Sequence, residues 1–205
     1  MATIVSTLFI SLDGVAEIDP AWHFPYFDEH MGAAVTEDYD GVDVLLLGRV
    51  TYDSFAGAWP GREDAGEEDA AFAAQLGDVR KVVVTRGTQD LGWRNVERMT
   101  GDLVEAVTAL KAAPGKVLVA GSISVVRQLL AAGLLDELRL LVHPVLVGAG
   151  DRLLREDAVG VQHLRLLRSE TFPTGVVRQV YAPVAAPAAV GYEGVTDKVP
   201  GAGGA

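Results

Sequence analysis

The chain repeatedly alternates a short run of aliphatic and β-branched residues with a segment suited to a helix. Four such runs, each followed by a turn residue, occur at 4–12, 42–47, 81–85 and 116–120. Runs this apolar suit strands buried on both faces, and parallel strands need helical crossovers. The alternation therefore predicts βαβ units around a mostly parallel sheet. The 205 residues suit one such domain, and the hydrophobic share of 49% suffices for its core.

The pattern changes in the last third of the chain. A long strand is predicted over 137–147, and two more over 162–172 and 176–181. Pro-Thr-Gly separates the last two, which indicates an antiparallel hairpin. The sequence thus predicts one domain over 1–182, with a sheet that begins parallel and ends antiparallel. Residues 183–205 are rich in Pro, Gly and Ala without apolar periodicity, and we expect a flexible tail there.

Composition excludes several classes of function. The chain has no cysteine, which removes thiolate metal sites and cysteine nucleophiles. A net charge of -11, with Arg80-Lys81 as its longest basic run, disfavours nucleic acid as a partner. Without a long apolar segment or a basic leader, we expect a cytoplasmic protein with no membrane partner. His23 and His30 flank Asp28 and Glu29. Their spacing is the only support for a metal site there, and we predict none.

The chemistry is concentrated where strands give way to helices. Gly48-Arg49-Val50-Thr51 follows the second strand and opens a helix, Thr85-Arg86-Gly87 ends the third, and Gly121-Ser122 ends the fourth. Free amides at helix N-termini bind phosphate, and the arginines add charged donors. Three such junctions at the carboxyl ends of parallel strands predict a dinucleotide cradle.

Five segments carry a family resemblance. They are Ser11–Gly14, Leu46–Tyr52, Val83–Arg86, Val119–Ser122 and Asp136–Gly148, in this order. Together they resemble the dihydrofolate-reductase-like superfamily, and more narrowly the branch of the reductase domain of the riboflavin biosynthesis protein RibD. The resemblance covers about residues 3–181. It implies an α/β fold with a sheet of about eight strands, and NADPH as hydride donor.

The resemblance also implies roles for individual residues. Gly48, Arg49 and Thr51 would face the cofactor phosphates, and Thr85 and Arg86 the adenosine 2′-phosphate. The pyrophosphate and adenine side would be lined by Gly121, Ser122, Ile123 and Val125. Val147 and Gly148 would lie near the nicotinamide. Asp13 and Gly14 would belong to a loop over the active site.

The substrate end is less defined by sequence, and residues 16–26, with two prolines and three aromatic residues, are expected to form a loop. Trp22 and Pro25 resemble residues before the active-site helix of dihydrofolate reductases, whose catalytic carboxylate comes two residues after the proline. Phe27 stands at that position here and Asp28 follows, and a one-residue shift turns a helical side chain by about 100°. Reduction of folate or of a riboflavin precursor therefore stays open.

The main hypothesis is an NADPH-dependent reductase of a small heterocyclic or carbonyl compound. Asp13 or Asp28 would supply or orient the proton, in a cleft lined by aromatic residues: Trp22, Phe27, Tyr52 and Phe55. A nucleotide-binding protein without efficient turnover is the alternative, and a structural dimer with a vestigial cleft is a third reading. We expect a homodimer, formed through the strand at 137–147 and the terminal hairpin.

Overall fold

A single eight-stranded sheet organises the protein. The computed structural model describes residues 1–66, 69–155 and 160–188. The strands are β1 (Thr3–Ser11), β2 (Val44–Gly48), β3 (Arg80–Val84), β4 (Val96–Arg98), β5 (Lys116–Ala120), β6 (Glu137–His143), β7 (His163–Thr171) and β8 (Val177–Val184). The helices are α1 (Pro20–His23), α2 (Glu29–Tyr39), α3 (Arg49–Ala58), α4 (Ala70–Asp78), α5 (Leu103–Ala112) and α6 (Ile123–Ala131).

The strand order is β4-β3-β2-β5-β1-β6-β8-β7. The first six of these strands are parallel, and β8 and β7 are antiparallel additions beside β6. The predicted fold class, a mostly parallel sheet ending in an antiparallel hairpin, is confirmed.

Core packing explains the apolar strands. In β2, Val44 and Leu46 face one buried cluster, whereas Leu45 and Leu47 face another. The first cluster includes residues of α5 and α6, and the second residues of α2, α3 and α4. Because both faces of the central strands are covered, neither face of them carries polar alternation.

Three predicted boundaries were wrong. Residues 16–26 were expected to form a loop but contain α1, which Asp19 caps and Pro20 begins, and a 3₁₀ turn over 24–26. Strand β6 ends at His143 rather than at residue 147, because Pro144 has no N–H with which to extend the ladder. Strand β8 runs to Val184 rather than to residue 181, and most of the predicted tail (189–205) lies outside the described residues.

A buried ion cluster ties α2 to the sheet. The Asp38 carboxylate is fully buried and accepts hydrogen bonds from Thr7, Arg139 and Arg178 at 2.5–2.9 Å. Arg178 also donates to Glu37. These contacts join α2 to β1, β6 and β8, so the helix position depends on an ion pair, Asp38–Arg178, that is shielded from water.

Across the described ranges, none of the helices combines the length and apolar character that a membrane crossing requires.

Candidate functional site

A large cavity opens at the carboxyl ends of β2, β3 and β5, with a volume of about 1690 Å³. One end is lined by the strand-to-helix junctions, with Gly48, Arg49, Thr51, Thr85, Arg86, Gly121, Ser122 and Ile123. The other end is apolar and aromatic, with Phe9, Ile18, His23, Phe24, Phe27, Phe55 and Trp59. The volume exceeds the ~300–1,000 Å³ of pockets for drug-sized ligands, so the cavity has room for a dinucleotide together with a small ring.

Two junctions at the polar end are joined by hydroxyl groups. The Gly48 N–H donates to Ser122 Oγ at 2.8 Å, and the Ser122 N–H donates to Thr51 Oγ1 at 3.0 Å. Gly121 and Ser122 both adopt positive φ, 53° and 55°, to make this turn. The hydroxyls of Thr51 and Ser122, expected to face cofactor phosphates, thus hold the β2–α3 and β5–α6 junctions against each other.

The starts of α3 and α6 have no side-chain caps. Neither Gly48 nor Ser122, the N-cap residues of α3 and α6, provides a side-chain cap for its own helix. A Cβ placed on Gly121 would lie 3.5 Å from Thr51, and one on Gly48 3.6 Å from Ser122, so the two helix starts are in contact. Two adjacent N-termini combine uncapped N–H groups with two positive dipole ends, which favours a phosphate or pyrophosphate.

The two predicted arginines differ in their surroundings. Arg49 Nε donates to both carboxylate oxygens of Asp53 at 2.8 Å, and these hydrogen bonds raise the pKa of the guanidinium. Arg86 lies exposed at the cavity rim, and among the described residues it has no ion-pair partner. Thr85 Oγ1 accepts from the Gly87 N–H at 3.0 Å and shapes the turn that presents Arg86.

The remaining cofactor candidates divide between cavity and loop. Ile123 and Val125 line the cavity at the start of α6. Val147 and Gly148 lie outside it, in the loop after β6, where their N–H groups donate to Asp13. The structure therefore does not bring Val147 and Gly148 together with the other predicted cofactor residues.

Asp13 anchors the loop that follows β6. Its carboxylate accepts hydrogen bonds from the N–H of Val147 and Gly148 at 3.0 and 2.9 Å, and from the Ser11 hydroxyl at 2.7 Å. The Val147 N–H, followed by the Ser11 hydroxyl and the Gly148 N–H, holds the pKa of Asp13 far below its usual range. Asp13 also lies outside the set of residues that line the cavity, and its assignment to proton delivery stays a prediction.

Asp28 has an equally local function. It is the N-cap of α2, and its Oδ1 accepts from the Met31 N–H at 2.9 Å. It contacts His30 at 3.4 Å and does not line the cavity. The carboxylate expected near the substrate therefore stabilises the start of the helix instead.

Only two of the four predicted aromatic residues line the cavity. Phe27 and Phe55 do, whereas Trp22 and Tyr52 are buried away from it. The Tyr52 hydroxyl accepts from the Trp93 N–H at 3.2 Å within the second core cluster. The burial of Tyr52 depends on a contact 41 residues along the chain, which the sequence pattern around it does not indicate.

A histidine pair was missed by sequence analysis. His23 Nδ1 and His143 Nε2 lie 3.0 Å apart, and both side chains are buried. His23 lines the aromatic end of the cavity and packs on Phe9 at a ring-centroid distance of 4.3 Å. His30 lies elsewhere, beside Asp28 and Phe172. No local motif signals the His23–His143 pair, because 120 residues separate the two.

No group of three or more potential metal ligands occurs within the ranges that the structure describes.

Comparisons with known proteins agree with this architecture. A family model described as the RibD C-terminal domain matches residues 2–178. The uncharacterized protein YyaP of Bacillus subtilis (strain 168) is 30% identical over 184 residues, which cover 87% of this chain and 93% of YyaP.

Two solved structures share the fold. A putative riboflavin biosynthesis protein from Shewanella sp. PV-4 superposes with a TM-score of 0.68 at 19% identity, covering 90% of this chain and all of that one. A pyrimidine reductase-like protein from Corynebacterium diphtheriae gives a TM-score of 0.63 at 17% identity, covering 90% and 93%.

Proposed function

The chain belongs to the RibD C-terminal domain family, and from that premise we propose that it is an NADPH-dependent reductase of a small heterocyclic or carbonyl substrate. The observation that carries the proposal is the pair of adjacent, uncapped helix N-termini at one end of a cavity whose other end is aromatic. A polar end for phosphates beside an apolar end for a ring suits a dinucleotide and a planar substrate.

The charge distribution in the cavity supports an anionic ligand despite the net charge of -11. Three of its carboxylates are engaged with partners: Asp69 with Arg62, Asp102 with the first amides of α5, and Asp151 with Arg127 and Arg155. The fourth carboxylate of the lining, Glu17, accepts from the Asp151 N–H at 2.9 Å, so the uncapped amides and Arg86 are the donors offered to an incoming phosphate.

This chain's own residues would bind and orient. The first-turn amides of α3 and α6 would hold the pyrophosphate, and Arg86 would pair with the 2′-phosphate. When bound, NADPH supplies the hydride. The aromatic end would orient the substrate ring and exclude water, and most of the rate enhancement would come from that positioning.

Binding of NADPH, NADH and flavins, followed by thermal shift and intrinsic fluorescence, tests the proposal. Specific stabilisation by NADPH is expected. Binding of NADPH without its oxidation across panels of heterocycles and carbonyl compounds would instead favour a nucleotide-binding protein. The positions of Asp13 and Asp28 outside the cavity give that alternative a physical basis.

We also propose a homodimer, through β7 rather than through β6. Both edges of β6 are already paired, with β1 and β8. Strand β7 is an edge of the sheet and exposes Leu164, Leu166 and Leu167. Exposed leucines on an unpaired edge favour association with a second copy.

A further inference from the structure

The histidine pair at the aromatic end has a defined arrangement of protons. His143 Nδ1 lies 3.0 Å from the carbonyl oxygen of Leu141, which only accepts hydrogen bonds. His143 Nδ1 must therefore carry a proton and donate it. Burial lowers the pKa of His143, so the ring is neutral near pH 7 and its Nε2 is a bare acceptor.

The same reasoning extends to His23. Its Nδ1 lies 3.0 Å from the bare Nε2 of His143 and must donate to it. Burial, and then the neighbouring His143, lower the pKa of His23 to about 4, so this ring is neutral as well. The proton on Nδ1 leaves His23 Nε2 as a second bare acceptor.

The surroundings place this acceptor beside space for a ring. His23 lines the cavity, and among the described residues its Nε2 has no hydrogen-bond partner and is not one of the fully buried unpaired atoms. Phe9, Phe24 and Phe27 lie within 5.7 Å of the His23 ring, centroid to centroid. Phe24 and Phe27 are 63% and 49% exposed although they are large and apolar, which suits a stacking surface for a planar ligand.

We propose that His23 Nε2 accepts a hydrogen bond from the substrate and selects planar heterocycles that present an N–H or O–H donor at this position. The inference rests on the proposed function, because it assigns specificity within the same cavity. His143 is the positioning residue: its bond to the Leu141 carbonyl fixes which nitrogen of His23 is bare. A ring with only acceptors at that edge would face the lone pair of His23 Nε2 with another lone pair, and its affinity would be lower.

Nitrogen NMR of the histidine rings tests the proton arrangement without any ligand. His23 and His143 are expected as neutral Nδ1–H tautomers at pH 7, with assignments made from the His30→Gln and His163→Gln variants. A proton on His23 Nε2 would overturn the proposal. His143→Phe should release the constraint and give a mixture of His23 tautomers.

Binding of two probes tests recognition. Uracil presents N–H donors, whereas 1,3-dimethyluracil has the same ring with both donors methylated. In the wild-type protein with NADPH present, uracil should bind at least about tenfold more tightly, as one buried hydrogen bond allows. In His23→Phe this ratio should fall close to one, while His30→Phe, a histidine outside the cavity, should keep it. If His23→Phe keeps the preference for uracil, or if neither probe binds the wild-type protein, the proposal is overturned.

The affinity for NADPH separates this inference from the proposed function. It should be unchanged within about twofold in His23→Phe, because His23 packs on Phe9 of β1 and His143 of β6, whereas the junctions follow β2, β3 and β5. If NADPH does not bind the wild-type protein, the proposed function fails, and the tautomer measurement and the uracil pair without cofactor still decide the assignment of His23.

Discussion

The backbone N–H of Gly48 donates a 2.8 Å hydrogen bond to Ser122 Oγ, across 74 residues of sequence. The same Oγ donates to the Ala120 carbonyl at 2.9 Å, so one hydroxyl connects the ends of β2 and β5. Gly48 and Ser122 are the N-cap residues of α3 and α6. Their hydrogen bond therefore sets the relative position of the two helix starts to which we assign the pyrophosphate.

Replacing Ser122 should weaken both the fold and cofactor binding. Ser122→Ala leaves the Gly48 N–H unpaired. It also removes the side-chain hydrogen bond to the Ala120 carbonyl at a residue whose φ is 55°. We therefore expect a loss of about 1–3 kcal/mol in the free energy of unfolding. Ser122→Gly removes the same hydroxyl but suits the positive φ, and should lose less. Denaturant unfolding and NADPH titration of both variants provide the measurement. Equal stability of Ser122→Ala and wild type would contradict the assigned role.

Arg86 should determine the preference for NADPH over NADH. One charge-assisted contact to the 2′-phosphate predicts at least about tenfold tighter binding of NADPH, or ~1.4 kcal/mol, at low salt. Arg86→Ala should abolish that ratio and reduce the dependence of NADPH affinity on ionic strength. Arg80→Ala is the matched control, because Arg80 lies at the opposite end of β3 and pairs with Glu97. Equal affinities for the two nucleotides in the wild-type protein would refute the assignment.

Asp13 should contribute to acid stability rather than to proton transfer. Its pKa is lower in the folded protein than in the unfolded chain. Its stabilisation is therefore complete above the ordinary pKa of 3.8 and is lost as the pH falls below that value. Between about pH 5 and about pH 3 the Tm of the wild-type protein should fall more steeply than that of Asp13→Asn.

Turnover provides a second test of the two carboxylates. Loss of a true proton donor costs about 10²–10⁴-fold in rate. We expect Asp13→Asn and Asp28→Asn each to lower kcat by less than about tenfold, because neither side chain lines the cavity. Single-turnover oxidation of NADPH with an active substrate measures this, and a loss of 10²-fold or more in either variant would restore that carboxylate to catalysis.

Replacement of Asp38 should lower the free energy of unfolding more than most single substitutions. Asp38→Ala removes the buried carboxylate of Arg178 and leaves that guanidinium only the exposed Glu37, and breaking a buried pair in this way costs about 3–5 kcal/mol. Asp40→Ala, two residues later and exposed, should change stability by less than about 1 kcal/mol. Urea unfolding of the two variants gives the comparison, and similar midpoints would show that the cluster is not required.

The dimer should depend on the leucines of β7. Leu166→Glu places a charge on the exposed edge and should convert the dimer to a monomer while leaving the fold intact. Light scattering after size exclusion measures the mass, and circular dichroism checks the fold. Val161→Glu, at a more exposed position before β7, is the control. A wild-type monomer would remove the proposal.

Local sequence was sufficient for the order of strands and helices and for the polar half of the site. The segments 44–47 and 117–120 are apolar throughout because both faces of β2 and β5 are buried, and that pattern is visible in the sequence alone. Gly48, Arg86 and Gly121 follow directly from the rule that parallel strands present their carboxyl ends at one edge of the sheet.

The contacts of Asp13 and Tyr52 and the histidine pair at the aromatic end of the cavity depend on the tertiary structure alone. Asp13 and Tyr52 stand in the right segments, but their partners, Val147 and Trp93, come from loops 134 and 41 residues away. His23 and His143 have no pattern in sequence, since their contact depends on β6 lying beside β1 and on α1 packing across that pair of strands. Periodicity records which face of an element is buried, whereas the state of a titratable side chain depends on neighbours that only the packed chain brings to it.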